Sequence, residues 1–366
     1  MFDRRRFLMR GSGALMGLAA GGLFWRGQAQ ENAGRSLMTP AAQEAIDAGL
    51  AYLAQRQNPD GSFGTGQHAG NVAITSLAGL AFMAGGHQPG RGRYGAHVTN
   101  AVRNILSLED PAQPGYLRNT RNSFHGPMYG HGFAALFLAE AHGMVNDQAL
   151  RDRLRGTLKR STDLIINTQN REGGWRYQPQ RSDADISVTI CQIMALRAAR
   201  NAGITVPKTV ADHCIEYVKR CQDIKGPNAS GGFRYQPFGG PAGFARTAAG
   251  LVALYSAGVY EGQEIDKGLQ FLNRFRPGAG GGGGGIFGNA EVQIHYYYGH
   301  YYAAQAMWIA GGNYWQQWYP AIRDELLRSR QADGSWFNGQ ICPHYCTAMA
   351  LIILQIPNNY LPILQR

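Results

Sequence analysis

The sequence predicts an all-α fold in which six outer and six inner helices close into a ring, an α/α toroid. Three observations lead to this prediction: a turn motif recurs along the chain, each copy stands between two helical patterns, and the second helix of each pair is apolar on most faces. Apolar residues make up 44% of the chain, too many for a disordered protein and enough for a large core. The 50 glycines follow no collagen period, so we expect them at turns and helix ends.

The turn motif consists of a glutamine, a glycine and an aromatic residue. Its copies are residues 57–63, 169–175 and 331–336, and residues 231–233 match its second half. Weak copies fall around Tyr116 and Phe287. Six units of about 52 residues then cover almost the whole chain after its N-terminal segment, which is the signature of a repeat architecture.

Each unit places one helix before the turn and one after it. The first helices carry apolar residues at helical spacing, as at Ile46, Leu50 and Leu53, together with many charges, so we expect them outside. The second helices are rich in alanine, glycine and leucine and should be buried inside; they are predicted at 75–84, 131–141, 187–199, 247–257, 300–310 and 347–355. Five of them end at a glycine, the expected C-terminal stop: Gly85, Gly143, Gly203, Gly258 and Gly311.

The N-terminus predicts export. Arg4-Arg5-Arg6-Phe7-Leu8 fits the twin-arginine pattern, a short apolar stretch follows, and Gly27-Gln28-Ala29 resembles a cleavage site. We therefore expect a signal peptide at 1–29, a linker at 30–40, a single toroid at 41–366, and a periplasmic or cell-surface location. An uncleaved signal would anchor the chain, and peripheral contact with a membrane belongs to that interpretation.

Charge and cysteine content limit the partners. The net charge is +11, but residues 1–29 contribute five arginines and one aspartate, so the rest carries +7 without any Lys/Arg run. We therefore predict no nucleic-acid partner. The five cysteines are too irregular for a disulfide framework and are expected to be buried thiols: Cys191, Cys214, Cys221, Cys342 and Cys346.

The motif Q-x-x-x-G-x-W/F at this period resembles the prenyltransferase and squalene-oxidase repeat. That repeat occurs in squalene–hopene cyclases and in the β subunits of protein prenyltransferases, and the resemblance covers about Ala41 to the C-terminus. It implies the α/α toroid fold. It also implies a structural role for the repeated glutamine and aromatic residue, here Gln57, Trp175 and Trp336.

The chemistry implied by this resemblance is incomplete in the chain. Triterpene cyclases carry D-x-D-D-T at an inner helix start; here Asp185 and Thr189 match, while the two later aspartates are replaced by Ser187 and Val188. A register that begins at Asp183 needs a gap and still lacks one aspartate. The prenyltransferase zinc motif Asp-x-Cys is also missing. Zinc at Cys342, His344 and Cys346 is kept as an alternative to buried thiols, and no cofactor is predicted.

One position near the start of each inner helix differs around the ring, and we call it the slot. It holds Thr75, His131, Thr189, Thr247, His300 and Thr347. His131 and His300 lie three repeats apart, so in a sixfold ring they should face each other across the axis. We predict that they line one rim of the cavity together with His68, His125, Tyr129, Tyr177, Asp185, Tyr235, Arg246, His295, Tyr296, Tyr297, Tyr298 and His344. The catalytic candidates are Asp185, His131 and His300; the alternative is that Tyr-Gly-His merely packs and satisfies buried polar groups.

The leading hypothesis is an exported protein whose central cavity binds a hydrophobic or amphipathic ligand with a polar or anionic end, or a peptide. Helix N-termini at the predicted rim favour such an end. An enzyme acting on an isoprenoid is the first alternative, and a glycan-processing enzyme, which would need paired carboxylates, is the second. The glycine run from Gly280 to Gly285 is predicted to be a loop, either a lid or a surface insertion.

Overall fold

The computed structural model describes residues 37–120, 126–278 and 290–365, and in these ranges the regular structure is helical, without strands. The helices are α1 (Pro40–Gln55), α2 (Val72–Ala84), α3 (Gly95–Ser107), α4 (Pro127–His142), α5 (Gln148–Thr168), α6 (Ile186–Asn201), α7 (Lys208–Arg220), α8 (Phe244–Ala257), α9 (Gln263–Asn273), the short α10 (Ala290–Ile294), α11 (Tyr296–Ala310), α12 (Gly312–Ser329) and α13 (Pro343–Gln355).

Six of these helices form the inner ring. Helices α2, α4, α6, α8, α11 and α13 each pack against the next, and α13 packs against α2, so the ring is closed. Their residues are buried on nearly every side, whereas α3, α7 and α9 bury one stripe. The predicted α/α toroid is confirmed, and each predicted inner helix falls within an observed one. Because every inner helix follows an outer helix through a turn, the six inner N-termini lie at one end of the ring.

A glycine at the turn brings each described repeat against the next outer helix. Gly61, Gly115, Gly173, Gly231 and Gly334 all have φ between 83° and 100°, in the left-handed region. A Cβ at Gly173 would lie 2.0 Å from the carbonyl oxygen of His213 in α7. The other four would lie 2.4 to 2.9 Å from a carbonyl oxygen of the following outer helix, so only glycine fits on both counts.

The slot position holds the turn to the inner helix. The Oγ1 atoms of Thr75, Thr189, Thr247 and Thr347 accept the backbone N–H of Phe63, Trp175, Phe233 and Trp336 at 2.9 to 3.1 Å. In the second repeat His131 Nδ1 accepts the N–H of Leu117 at 3.2 Å. The weak copy predicted around Tyr116 is therefore centred one residue later.

The repeated glutamine connects neighbouring units. Nε2 of Gln169 donates to the carbonyl oxygens of Gly173 and of Val210 in α7, and Gln57 and Gln222 make the equivalent pairs of bonds. In the second repeat Glu109 takes this place and accepts hydrogen bonds from Gly115, Thr157 and Arg160. The implied structural role of the glutamine thus has a direct physical basis.

The last repeat closes the ring on the first. His344 Nδ1 accepts the N–H of Gly64 at 3.0 Å, and its ring packs edge-on against Tyr52 and Phe63. Gln355 Nε2 donates to the carbonyl oxygen of Ala81 in α2. These bonds join residues about 275 positions apart in the chain, so they form only once the ring is complete.

The end of the ring away from the inner N-termini is covered by residues 361–365. Ile363 N–H donates to Glu140 Oε2 at 3.3 Å, Trp308 Nε1 donates to the carbonyl oxygen of Leu364, and Arg197 Nη2 donates to that of Gln365. Glu140 is buried, and the loss of hydration raises its pKa to about 8. We call residues 361–365 the C-terminal plug.

Two further expectations concern membrane contact and thiols. Among the described residues, none of the helices combines the length and apolar character needed to span a bilayer. All five cysteines are unpaired and buried, as predicted. The predicted signal at 1–29, the predicted rim residue His125, the run from Gly280 to Gly285, and Phe287 lie outside the described residues.

Replacing Gly173 by alanine should destabilise the ring strongly. The added Cβ meets both an unfavourable φ and the carbonyl of His213, so we expect a loss of about 3 kcal/mol or more in the free energy of unfolding. Gly203 has φ +83° but open space around it, so Gly203→Ala meets the unfavourable φ without a steric clash. Its free energy of unfolding should fall by only about 1 kcal/mol. Chemical denaturation measures both variants. Equal losses in their free energies of unfolding would show that the close contact with His213 does not matter.

Glu140→Gln should stabilise the protein at alkaline pH. The folded-state pKa of Glu140 lies above its ordinary value, so its contribution is intact below about pH 4.5 and is lost as the pH rises through about 8. Glutamine keeps an oxygen for Ile363 N–H without a charge. We expect the variant to gain at least about 1 kcal/mol at pH 9 and nothing at pH 4, measured by denaturation. A gain at acidic pH alone would contradict this assignment.

Candidate functional site

A cavity of about 1330 Å³ opens at the end of the ring where the six inner helices begin. Every inner helix contributes to its wall through its first two turns or the residue just before it, and the preceding turns supply the rest. The lining includes His68, Val72, Ile74, Arg118, Asn119, Tyr129, Phe133, Tyr177, Gln178, Tyr235, Arg246, His295, Tyr298 and Tyr345.

The wall of the cavity combines apolar, phenolic and basic side chains. Val72, Ile74 and Phe133 provide apolar surface, and five tyrosines provide rings with hydroxyl groups. Arg118 and Arg246 are the charged side chains among the described lining residues, and aspartate and glutamate do not occur among them. Arg118 is partly balanced by Asp110, whose Oδ2 lies 2.7 Å from Arg118 Nε. The cavity therefore favours an anionic or electron-rich group over a cationic one.

Seven residues predicted for the rim do line the cavity: His68, Tyr129, Tyr177, Tyr235, Arg246, His295 and Tyr298. Tyr177 and Tyr235 occupy the same place in successive repeats, two residues after the aromatic of the turn motif. Their backbone oxygens accept the N–H groups of Met128 and Ile186 at the start of the neighbouring inner helices, at 3.1 and 3.0 Å. These bonds hold both tyrosines over the cavity.

The slot histidines lie elsewhere than predicted. His131 and His300 are fully buried and are absent from the described lining of the cavity. His131 turns away from the axis because its Nδ1 accepts the amide of Leu117, and burial lowers its pKa to about 4. His300 packs among the rings of Phe244, Tyr296 and Trp318. The predicted face-to-face arrangement across the axis is corrected by this geometry, and a catalytic role for the pair stays a prediction.

Three other candidates also lie outside the lining: Tyr296, Tyr297 and His344. Tyr297 is buried against Tyr296, at 5.0 Å between ring centroids. His344 is used in ring closure, and burial lowers its pKa to about 4.

Asp185 lies behind the wall of the cavity. It is fully buried and caps α6, where Oδ1 accepts the N–H groups of Ser187 and Val188 at 2.9 Å. Oδ2 has no hydrogen bond of standard geometry, and Arg176 Nε lies 3.5 Å away. Burial raises the pKa of Asp185 to about 6, while the Val188 amide, Arg176 and the Tyr235 hydroxyl hold it down.

A tyrosine–arginine cluster separates Asp185 from the cavity. The hydroxyl groups of Tyr177 and Tyr235 hydrogen-bond to each other, and the ring of Tyr129 lies 6.1 Å from that of Tyr177. The Arg176 guanidinium lies 4.6 Å from the Tyr177 ring and 5.5 Å from the Tyr235 ring, at cation–π distance. The arrangement places two hydroxyl groups that hydrogen-bond to each other on the cavity wall and a buried carboxyl group behind that wall.

The alternative zinc site does not assemble among the described residues. No group of three His, Cys, Asp or Glu side chains is close enough there to hold a metal ion. His344 Nδ1 is occupied by Gly64 N–H, and the Cys346 thiol faces Asn338 Oδ1 at 3.7 Å.

Several lining residues were missed by the sequence argument, notably Arg118, Asn119, Gln178, Phe133 and Tyr345. Arg118 and Asn119 follow the weak second copy of the turn motif. With the motif centred on Leu117, Asn119 stands where Tyr177 and Tyr235 stand in the next two repeats. A second copy of the motif placed on Leu117 would have predicted Asn119 as a lining residue. The motif was placed on Tyr116 instead, so this residue was missed.

This geometry limits the chemistry at the cavity. Hydrolysis of a glycoside needs two carboxyl groups flanking the bond, and the described lining offers none. Protonation of an alkene needs an acid that reaches it, whereas Asp185 is fully buried and does not belong to the described lining of the cavity. The cavity is well suited to hold an apolar body and to hydrogen-bond a polar end.

Comparison with solved structures identifies similar folds. The chain is similar to an inactive variant of α-1,6-mannanase from Salegentibacter sp. HEL1_6 in complex with α-1,6-mannotriose (TM-score 0.57, 10% identity, 87% of this chain and 99% of that one). It is also similar to the type II terpene cyclase MstE from Scytonema (TM-score 0.56, 16% identity, 88% and 99%) and to a variant of that cyclase in complex with geranylgeranyl dihydroxybenzoate, its substrate (TM-score 0.55, 15% identity, 88% and 98%). No protein-family model and no curated protein sequence matches the chain. At these identities the likeness establishes the α/α toroid fold.

Substitution of His131 distinguishes a structural role from a role at the cavity. His131→Ala should lower the free energy of unfolding by about 2–3 kcal/mol, because the buried Leu117 amide loses its acceptor and a space is left. His131→Thr restores the acceptor found in four other repeats and should recover part of that loss. Binding of anilinonaphthalene sulfonate to the folded protein should stay unchanged in both variants. A stable His131→Ala protein that no longer binds the dye would contradict the structural role.

Proposed function

We propose that this protein is exported and binds an amphipathic ligand with an anionic end in the cavity of its toroid. The observation that carries the proposal is the composition of the described lining: two arginines, two histidines and five tyrosines surround apolar surface, without a carboxylate. The ligand's apolar body lies along Phe133, Val72 and Ile74, and its anionic end lies near Arg118 and Arg246.

Electrostatics supports the position of the anionic end. The six inner helices begin at this end of the ring, so the positive ends of their dipoles face it, and the arginines add full positive charge. Low-dielectric walls strengthen the attraction between these groups and an anion. A cationic head group would face repulsion at the same place, so the charge of the head group should determine affinity.

The comparisons support the class of ligand. A terpene cyclase of similar fold has geranylgeranyl dihydroxybenzoate as its substrate, a benzoate that carries an isoprenoid chain. That molecule has an apolar tail and an acidic head, which are the two properties that the wall of this cavity matches. For this chain we propose an isoprenoid or similarly branched lipid acid.

Binding is favoured over catalysis of the usual types. Asp185, which stands at the start of the cyclase motif, caps α6 with one oxygen and is covered by Tyr235 on the other side. The glycan alternative lacks a carboxyl pair on the described wall. The proposal is therefore a ligand-binding protein built on a fold that enzymes also use.

Three probes with the same twenty-carbon isoprenoid chain test this function: a carboxylic acid, an alcohol and an amine. We expect the acid to bind at least about tenfold more tightly than the amine at pH 7.5 and low salt, and the advantage to shrink as salt rises. Arg246→Gln should weaken binding of the acid about tenfold and leave the alcohol nearly unaffected. The measurement is isothermal titration calorimetry or native mass spectrometry.

Arg200→Gln is the matched control for this substitution. Arg200 is exposed near the C-terminal end of α6, at the opposite end of the ring from the cavity mouth. It should leave the affinities of all three probes unchanged. Equal binding of acid and amine, or no binding of any probe, would overturn the proposed function.

A further inference from the structure

Three polar side chains lie in series from the interior to the cavity. Asp185 is buried, Tyr235 lies between it and Tyr177, and both tyrosines line the cavity. Tyr235 lies beside Asp185: its backbone oxygen accepts the N–H of Ile186, and the Arg176 guanidinium lies near both the Asp185 carboxyl group and the Tyr235 ring. Oδ2 of Asp185 is a buried oxygen without a hydrogen bond of standard geometry. The proposed function does not use these three groups together.

The orientation of Asp185 is determined by its role as a cap. Oδ1 accepts two backbone N–H groups of α6, so it has to remain an acceptor in either protonation state. Any proton on Asp185 therefore resides on Oδ2. This is the oxygen that can exchange hydrogen bonds with Tyr235.

The direction of the hydrogen bonds follows from counting protons. Each tyrosine hydroxyl has one proton to donate. In a hydrogen bond between ionised Asp185 and the Tyr235 hydroxyl, Tyr235 must be the donor to Oδ2; Tyr177 then donates to Tyr235, which leaves the Tyr177 oxygen as an acceptor for a ligand. When Asp185 is protonated, every bond reverses, and Tyr177 offers its proton to a ligand.

We propose that Asp185, Tyr235 and Tyr177 form a specificity site for a hydroxyl group on the ligand, and that ionised Asp185 makes this site a hydrogen-bond acceptor. The site rests on the proposed function, since it requires a ligand in the cavity. It extends that function by naming a second recognised group, a hydroxyl that donates, besides the anionic end. Protonation of Asp185 turns the same site into a donor and removes the preference.

The charged and titratable groups around Asp185 keep this assignment simple. Arg176 is the nearest charge, at 3.5 Å, and Asp183 is paired to the same arginine at 2.9 Å. Burial raises the pKa of Tyr235 and of the neighbouring groups far above neutrality, so they stay protonated while Asp185 titrates; these neighbours are Tyr129, Tyr217, Tyr298, Cys191 and Cys221. With the pKa of Asp185 raised to about 6, the carboxyl group is ionised at pH 8 and protonated at pH 5.

The test compares geranylgeraniol with its methyl ether, two probes that differ in one donated hydrogen bond. At pH 8 the wild-type protein should bind the alcohol about tenfold more tightly than the ether, because one buried hydrogen bond changes affinity by about that factor. At pH 5 the two affinities should converge, because both oxygens accept equally from Tyr177. Using a ratio cancels the effects of histidines and of overall charge, which act on both probes.

Asp185→Asn should abolish the pH dependence. Its amide oxygen keeps the cap on α6, and its NH₂ group, placed at Oδ2, can only donate. The variant should therefore treat the alcohol and the ether alike at pH 8, as the wild type does at pH 5. Tyr177→Phe should show no preference between the alcohol and the ether at either pH. Tyr94→Phe loses a buried hydroxyl away from the cavity and should keep the wild-type ratio and its pH dependence.

The outcomes separate the specificity site from the proposed function. Equal binding of alcohol and ether by the wild type at pH 8, with the acid still preferred over the amine, overturns the specificity site alone. A preference that persists in Asp185→Asn at pH 8 also overturns it. Failure of the wild type to bind either probe or the acid overturns the proposed function and the specificity site with it.

Discussion

The structure depends on the hydrogen bond that joins each described turn to its inner helix. A backbone N–H at the turn is buried, and burial without a partner would destabilise the fold, so the inner helix supplies an acceptor in its first turns. The turn glycine then lets the same segment approach the next outer helix closely enough for backbone contact. Together these contacts determine the spacing of the units, and the spacing determines how many units close the ring.

The cavity is a consequence of this constraint. Five of the slot side chains accept a hydrogen bond from a turn, so the axis is left to residues on either side of the slot and to the turn residues two places after the aromatic. Tyr177 and Tyr235 reach the mouth in this way, and Arg246 lies directly before the slot threonine of its helix. The end of the ring opposite the mouth is covered by the plug and its buried carboxyl group, Glu140. Differences between the turns can therefore change the ligand without disturbing the ring.

Much of the fold could be predicted from the sequence because repetition provides several observations of one unit. The inner helices, the stops at Gly85 and Gly258, and the buried cysteines followed from pattern and composition. The cavity residues Tyr129, Tyr177, Tyr235, Arg246 and Tyr298 were predicted because they lie near inner helix starts. His131 and His300 were misplaced because sequence position alone does not say whether a side chain near a helix start faces the axis or the turn. The buried amide of Leu117 decides this for His131, and its need for an acceptor is visible only in three dimensions. The connection from Asp185 through Tyr235 to Tyr177 spans two repeats and was equally invisible.

The central claim is that the cavity holds the apolar body of a ligand inside the ring and its anionic end at the basic mouth. A crystal structure of the protein with a bound twenty-carbon isoprenoid acid tests this most directly. The account predicts continuous density along Phe133 and Ile74, with the carboxylate within hydrogen-bond distance of Arg246 or Arg118. A cavity that contains only water at saturating ligand, or a ligand bound with its carboxylate innermost, would contradict it.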